Sequence, residues 1–144
     1  MADKIFVNLP VKDLKKTTAF FAKLGFKFNP MFTDDNAACM VVGENMFAML
    51  LAEKFFKGFL PGREICDAKK STEVLVALSL ESRKAVDEML KSAVAAGGRE
   101  YREKQDYGWM YGRAFQDLDG HIWEPFYMDM DAVPGEMKKK GQAK

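Results

Sequence analysis

The sequence has few of the residues that build disulfide frameworks and metal sites. Its 144 residues include two cysteines, Cys39 and Cys66, and one histidine, His121. The cysteines do not form a CxxC pair, so we expect reduced thiols instead of a disulfide framework or a zinc site. His121 follows Gly120 in a turn-like segment, where a solvent-facing side chain is the ordinary expectation.

Long apolar runs and an excess of one charge are also lacking. No stretch approaches the roughly 20 apolar residues of a membrane span, and the first residues lack the apolar core of a signal peptide. The chain has 22 basic and 21 acidic residues, for a net charge of +1. This balance gives no electrostatic reason to expect a nucleic acid or an anionic membrane as partner. We predict a cytoplasmic protein.

The first part of the chain follows the order β-α-β-β-β. A β-rich run covers Ile5 to Val11, Asp13 is a suitable helix N-cap, and Gly25 is placed to end the helix after about Leu24. Short apolar runs separated by polar turns then predict three strands. These strands are expected at residues 26–32, 37–42 and 46–51.

The second part repeats that order. A strand is predicted at residues 74–80, and Ser82 caps a helix whose apolar residues recur at helical spacing until Gly97. Three further strands are expected at residues 100–102, 110–115 and 122–126. An Asp-Leu-Asp-Gly turn at residues 117–120 precedes the last of them.

The spacing of these elements indicates an internal duplication. The two first strands and the two helix caps are each 69 positions apart, and the helix-ending glycines are 72 apart. We therefore predict an α+β fold in which two βαβββ modules form a curved mixed sheet with a concave pocket. The expected boundaries are 1–52 for the first module, 53–72 for a connector, 73–130 for the second module and 131–144 for a flexible tail. The connector is either a helix packed on the domain or a lid over the pocket.

Two segments resemble the opening and closing motifs of the vicinal oxygen chelate superfamily, which includes glyoxalases, bleomycin-resistance proteins and extradiol dioxygenases. The opening segment is Phe6–Leu14, followed by Phe20-Phe21 and Leu24-Gly25-Phe26. The closing segment is Asp117–Glu124. The resemblance covers roughly residues 4 to 128, and in particular the chain resembles bacterial proteins described as predicted lactoylglutathione lyases.

The resemblance implies a divalent metal site with one ligand from each of four strands. Carried onto this sequence, the four positions are Phe6, a residue within one or two positions of Met49, Leu75 and Glu124. Three of these are apolar, whereas a hard or borderline cation requires oxygen or nitrogen donors. Asn8 shares a strand face with Phe6 and adds one neutral donor. We therefore predict no metal and no other cofactor.

Glu124 is the one candidate catalytic residue, because a strand carboxylate in an apolar pocket can accept a hydrogen bond or act as a general base. The alternative is a carboxylate neutralised by Arg113 or another basic residue. Pro125 cannot donate a ladder hydrogen bond and predicts a bulge beside Glu124. The candidate ligand-binding residues are Phe6, Asn8, Met49, Leu75, Arg113 and Phe126; for Arg113 a salt bridge is the alternative.

These observations favour a protein that binds a small, largely apolar molecule without a metal. Bleomycin-binding members of the superfamily hold a ligand in an apolar cleft in this way, so the resemblance places the chain nearer to them than to its metal-dependent enzymes. The alternatives are a metal-dependent lactoylglutathione-lyase-type enzyme with shifted ligands, and a structural homodimer without ligand. The resemblance also implies a homodimer.

Overall fold

The computed structural model describes residues 1–142. In the first part of the chain the elements are β1 (Ile5–Val11), α1 (Leu14–Lys23), β2 (Lys27–Asn29), a 3-10 helix (Pro30–Phe32), β3 (Ala37–Gly43), β4 (Met46–Ala52) and α2 (Glu53–Lys57). In the second part they are β5 (Leu75–Ser79), α3 (Arg83–Ala95), β6 (Arg99–Asp106), β7 (Met110–Gln116), β8 (Ile122–Met128) and α4 (Gly135–Gln142). Among these residues, no helix is long and apolar enough to span a membrane.

The chain divides into two units, which correspond to the two predicted modules but have different bounds. From here on, first and second module mean these two units. The first contains residues 1–73 and 118–120, and the second contains residues 74–117 and those from 121 onward. Each module has one four-stranded mixed sheet, ordered β1-β4-β3-β2 or β5-β8-β7-β6. In each sheet the first strand is parallel to the last strand of its module, and the other pairs are antiparallel. The α+β fold with two βαβββ modules is thus confirmed; a single curved sheet with a shared pocket stays a prediction.

In the first module, one face of the sheet packs against α1. Alternation along β1 directs Leu9 and Val11 to this face, and both are almost fully buried. They pack in a core with Met40, Leu50 and the two helix phenylalanines at 20 and 21. The Asp13 carboxylate caps α1 by accepting a hydrogen bond from the Lys16 backbone N–H, and Gly25 follows its end with φ of 98°. Both predicted helix boundaries are confirmed.

The second module is built in the same way. Ser82 caps α3 by accepting from the Ala85 backbone N–H, as predicted. The buried helix residues Val86, Leu90 and Ala93 belong to a core with Phe115 and Trp123.

The two aspartates of the 117–120 turn accept hydrogen bonds from different parts of the chain. The buried Asp117 carboxylate accepts hydrogen bonds from the indole N–H of Trp123 and the backbone N–H of His121. Asp119, which belongs to the first module, accepts from the Lys12 backbone N–H at 2.9 Å and from the Thr17 hydroxyl at 3.3 Å. Asp117 therefore fixes the start of β8 within the second module, and Asp119 holds the first turn of α1 within the first.

Three elements differ from the sequence prediction. The strand expected at residues 26–32 ends at Asn29, whose side chain caps the 3-10 helix that starts at Pro30. Strand β6 is longer than expected and extends to Asp106. The segment predicted as a tail contains α4, and residues 143–144 lie outside the described residues. The connector begins with the short helix α2, as expected, and its role as a lid stays a prediction.

Both cysteines are free, as predicted. Cys39 lies in β3 and is 1% exposed, and its burial raises the pKa of the thiol. Cys66 is exposed in the connector.

An ion pair connects α3 to the hairpin that follows β6. The Arg83 guanidinium donates to both carboxylate oxygens of Asp106 at 2.8 Å and to the Gly108 carbonyl at 2.9 Å. The same guanidinium lies 4.9 Å from the ring centroid of Tyr111. The Arg83 hydrogen bonds, followed by the Gly108 N–H bond, hold the pKa of Asp106 well below its ordinary value of 3.8.

This pair predicts a specific loss of stability in acid. A carboxylate whose pKa is lower in the folded state stabilises the protein above its unfolded pKa and loses that effect as pH falls through the folded pKa. In urea unfolding between about pH 5 and pH 2, we expect Asp106→Asn to decrease the pH dependence of the free energy of unfolding. Arg83→Gln should give part of this flattening, because it removes the largest cause of the low pKa and leaves the Gly108 N–H bond to Asp106. A full wild-type pH dependence in both variants would contradict this assignment.

Candidate functional site

Glu124 lies on β8, which is flanked by strands on both sides. Its neighbours Trp123 and Pro125 point to the opposite face, toward α3, and are fully buried. Glu124 therefore lies on the face of the sheet that α3 does not cover, together with Phe126. The pairing of β7 with β8 keeps one register on both sides of Pro125, from Gly112↔Phe126 to Phe115↔Trp123. The predicted bulge is wrong, and the direction of Glu124 follows regular alternation.

A cavity of about 240 Å³ opens on this face of the second module. It exists because the strands beside Glu124 and Phe126 carry small residues. Ala77 of β5 is paired with Glu124, and Gly112 of β7 is paired with Phe126. The lining also includes Arg102, Gln105, Met110 and Met128. The walls are thus largely apolar, and the polar side chains in the lining include Glu124, Arg102 and Gln105.

An ion pair joins Glu124 to Arg102 of β6. The guanidinium nitrogen and the carboxylate oxygen are 2.6 Å apart, and the side chains are 30% and 20% exposed. The sequence alternatives for Glu124 included neutralisation by a basic residue, and the structure identifies that residue as Arg102.

Arg113 borders the cavity, but its guanidinium is turned to the other face. It pairs with Asp87 of α3 at 2.9 Å and with Glu100 at 2.6 Å. Burial alone lowers the pKa of Arg113, but the hydrogen bonds to Glu100 and Asp87 outweigh that effect and raise it. The structure therefore supports the salt-bridge alternative for Arg113, and not a guanidinium directed at a ligand.

The remaining predicted residues lie apart from this cavity's lining. Phe6, Asn8 and Met49 share the face of the first sheet opposite α1, where the Phe6 ring stacks on Phe47 with centroids 4.8 Å apart. Leu75 begins β5 and is 50% exposed. Of the predicted set, the second-module cavity brings together Glu124, Phe126 and the border residue Arg113. A ligand-binding role for Phe6, Asn8, Met49 and Leu75 stays a prediction.

Strand register fixes which residue of the first module corresponds to Glu124. Asn8 pairs with Met49 in the first sheet, and Ala77 pairs with Glu124 in the second. Asn8 and Ala77 are separated by the 69-residue repeat. Met49 is therefore the structural counterpart of Glu124 in the first sheet.

Comparison with known proteins gives a consistent result. A family model described as bleomycin resistance protein-like N-terminal matches residues 5–43. Solved structures named as glyoxalase/bleomycin resistance protein/dioxygenase proteins match over most of the chain. These matches show that the chain has the glyoxalase/bleomycin-resistance fold. A search of curated protein sequences found no significant match.

Three solved structures show the extent of this similarity in fold. A hypothetical protein from S. aureus is 27% identical, with a TM-score of 0.73 and coverage of 88% of this chain and 95% of that one. A glyoxalase/bleomycin resistance protein/dioxygenase family enzyme from Burkholderia phytofirmans PsJN is 16% identical, with a TM-score of 0.75 and coverage of 88% and 99%. A glyoxalase-related enzyme from Fulvimarina pelagi is 18% identical, with a TM-score of 0.73 and coverage of 88% of each chain.

The residues at the metal positions that the vicinal oxygen chelate resemblance implies do not fit a divalent cation. Phe6 and Leu75 have no donor atom, and the thioether of Met49 is a soft ligand unsuited to hard or borderline divalent ions. Glu124, the one carboxylate of the set, is already neutralised by Arg102. Within residues 1–142, no three side chains among His, Cys, Asp and Glu are grouped for metal binding. Absence of a metal stays a prediction, which rests on this donor chemistry.

Sequence reasoning missed Arg102, Gln105 and Gly112. Gly112 carried a usable signal, since a glycine inside a strand pattern often marks a close approach or an open space. The sequence signal for Arg102 was weaker. The register of β6 against β7 shifts both before and after Arg102, so simple alternation does not predict its face.

The Arg102–Glu124 pair predicts a measurable coupling in a double-mutant cycle. We expect Arg102→Gln and Glu124→Gln, singly and together, to give a coupling free energy of about 1 kcal/mol, because the pair is only partly exposed. Urea unfolding of the four proteins measures it. Additive effects of the two substitutions would mean that the pair contributes nothing to stability.

Proposed function

We propose that this chain binds a small, largely apolar molecule in the second-module cavity without the metal of its metal-dependent relatives. The observation that carries the proposal is the contact of Arg102 with Glu124, which engages the one carboxylate that the family metal site would use. The cavity then offers apolar walls and a neutral ion pair. Such a site is suited to holding a molecule by shape and burial.

The size and lining of the cavity support this proposal. A volume of about 240 Å³ lies below the range of roughly 300–1,000 Å³ that is typical of pockets for drug-sized ligands. A small ligand is therefore indicated. Phe126, Met110 and Met128 supply apolar contact, and methionines adapt easily to different ligand shapes. Solved structures with the same fold are named as glyoxalase/bleomycin resistance protein/dioxygenase proteins, which agrees with a binding role.

Filling the cavity should abolish ligand binding. A Cβ added at Gly112 would lie 3.6 Å from the Phe126 Cβ and 3.7 Å from the Met110 sulfur, in ordinary contact. Gly112→Leu should therefore fold and extend its side chain into the cavity. In a thermal-shift screen of small aromatic and branched aliphatic compounds, ligands that raise the wild-type melting temperature should fail to raise that of the variant.

Ala95→Leu is the matched control, because Ala95 is exposed on α3. It should respond to ligands like the wild type. Equal responses of Gly112→Leu and wild type would place the ligand elsewhere. No shift with any compound would favour the structural protein without a ligand.

Metal analysis tests the second part of the proposal, which is that the protein acts without a bound metal. We expect purified, untagged protein to contain nickel, zinc, manganese and iron well below one ion per chain by mass spectrometry, because the family positions supply a single carboxylate. Arg102→Gln should remain equally low, since freeing Glu124 adds no second donor. One ion per chain in the wild type would instead support the lactoylglutathione-lyase-type enzyme with shifted ligands.

A further inference from the structure

Two arginines of the second module direct their guanidinium groups to acceptors within the protein. Arg113 lies between two carboxylates, those of Asp87 and Glu100. Arg83 donates to both oxygens of Asp106 and to a backbone carbonyl. Each guanidinium thus has acceptors from two different residues. Arg83 belongs to α3 and Arg113 pairs with Asp87 of that helix, so both guanidinium groups lie on the α3 side of the sheet.

Arg102 differs from both in its partners and in its position. Among residues 1–142, Glu124 is the one acceptor that contacts it. A guanidinium carries five N–H donors, and one carboxylate accepts at most two of them in a fork. Arg102 also lines the cavity. Its remaining donors are therefore available to an acceptor that enters the cavity.

We infer that the cavity selects an apolar molecule carrying a carboxylate, which Arg102 binds on the side of its guanidinium that Glu124 leaves open. This inference rests on the proposed function and specifies the class of ligand. Arg113 supplies the precedent, since in the same sheet one guanidinium holds two carboxylates at 2.9 and 2.6 Å. A ligand carboxylate at Arg102 would complete the same arrangement.

Cationic and neutral ligands fit these contacts less well. A cation that enters the cavity would lie close to the positive charge of the Arg102 guanidinium, and like charges repel. A neutral oxygen would accept a hydrogen bond from Arg102, but bonds between two ionised groups are roughly twice as strong. The amide of Gln105, in the same lining, is a further possible donor to a ligand oxygen.

Three probes with one apolar body and different polar ends test the inference. These are hydrocinnamate, hydrocinnamyl alcohol and the corresponding primary amine, titrated into the protein at neutral pH and followed by NMR chemical shifts. We expect hydrocinnamate to bind roughly tenfold more tightly than the alcohol, the low end for a charged hydrogen bond. The amine should bind more weakly than the alcohol.

Substitution of Arg102 should remove the preference for the acid and leave affinity for the alcohol unchanged. Arg102→Gln removes the charge, and Arg102→Lys retains it without the fork, so Lys should keep part of the preference. Arg99→Gln, on the same strand, is the control and should behave as the wild type. Melting temperatures of all variants show whether each is folded.

The outcomes separate this inference from the proposed function. Equal binding of acid and alcohol, or tightest binding of the amine, overturns the carboxylate inference while the apolar binding function stands. Loss of all three probes in Gly112→Leu places them in the cavity and supports both. Failure of all three probes to bind the wild type overturns both.

Discussion

The register of β8 is the constraint on which the second module depends. Side chains of a strand alternate between faces, so a shift of one residue would move Glu124 under α3 and bring Trp123 out of the core. The Asp117 carboxylate opposes such a shift, because it holds both the Trp123 indole and the backbone at His121. Pro125 lacks an N–H, yet the pairing continues unchanged past it. The burial of Trp123 on one face of β8 thus fixes the position of Glu124 on the other face.

With that register fixed, the chemistry of the open face follows from its neighbours. Small residues on both adjacent strands leave space beside Glu124, and a guanidinium from β6 occupies the carboxylate itself. In the first module the corresponding position is Met49, which has no charge to balance. The two modules share one backbone plan, but their equivalent positions have different chemical properties. The function of the fold therefore depends on a few side chains and not on the architecture.

Local signals explain why so much of the fold was predictable. Asp13 and Ser82 cap their helices through bonds to residues three positions away, and Gly25 and Gly97 adopt the positive φ that follows a helix end. Because these features depend on neighbours in sequence, they also reveal the duplication. The terminal helix α4 was missed, since its sequence is highly polar and carries little apolar periodicity.

The site was less predictable because its contacts are long-range. The partner of Glu124 comes from a strand whose register shifts twice, so the sequence does not show that Arg102 reaches it. Arg113 was considered instead because it is near aromatic residues in sequence, yet alternation of β7 directs it to Asp87 and Glu100. The glycine at position 112 inside a strand pattern marks an open space, but only the pairing of β7 with β8 shows that this space lies beside Phe126.

The composition of strand β6 also affects the association of this protein with other copies of itself. It is the outer strand of its sheet, and within the described residues it pairs only with β7. Its sequence, REYREKQD, places six charged side chains in eight residues, and its irregular register interrupts the row of outward backbone groups. Both features discourage another strand from adding to an open sheet edge. The side of the module that supplies the arginine of the cavity is therefore protected against strand-to-strand aggregation.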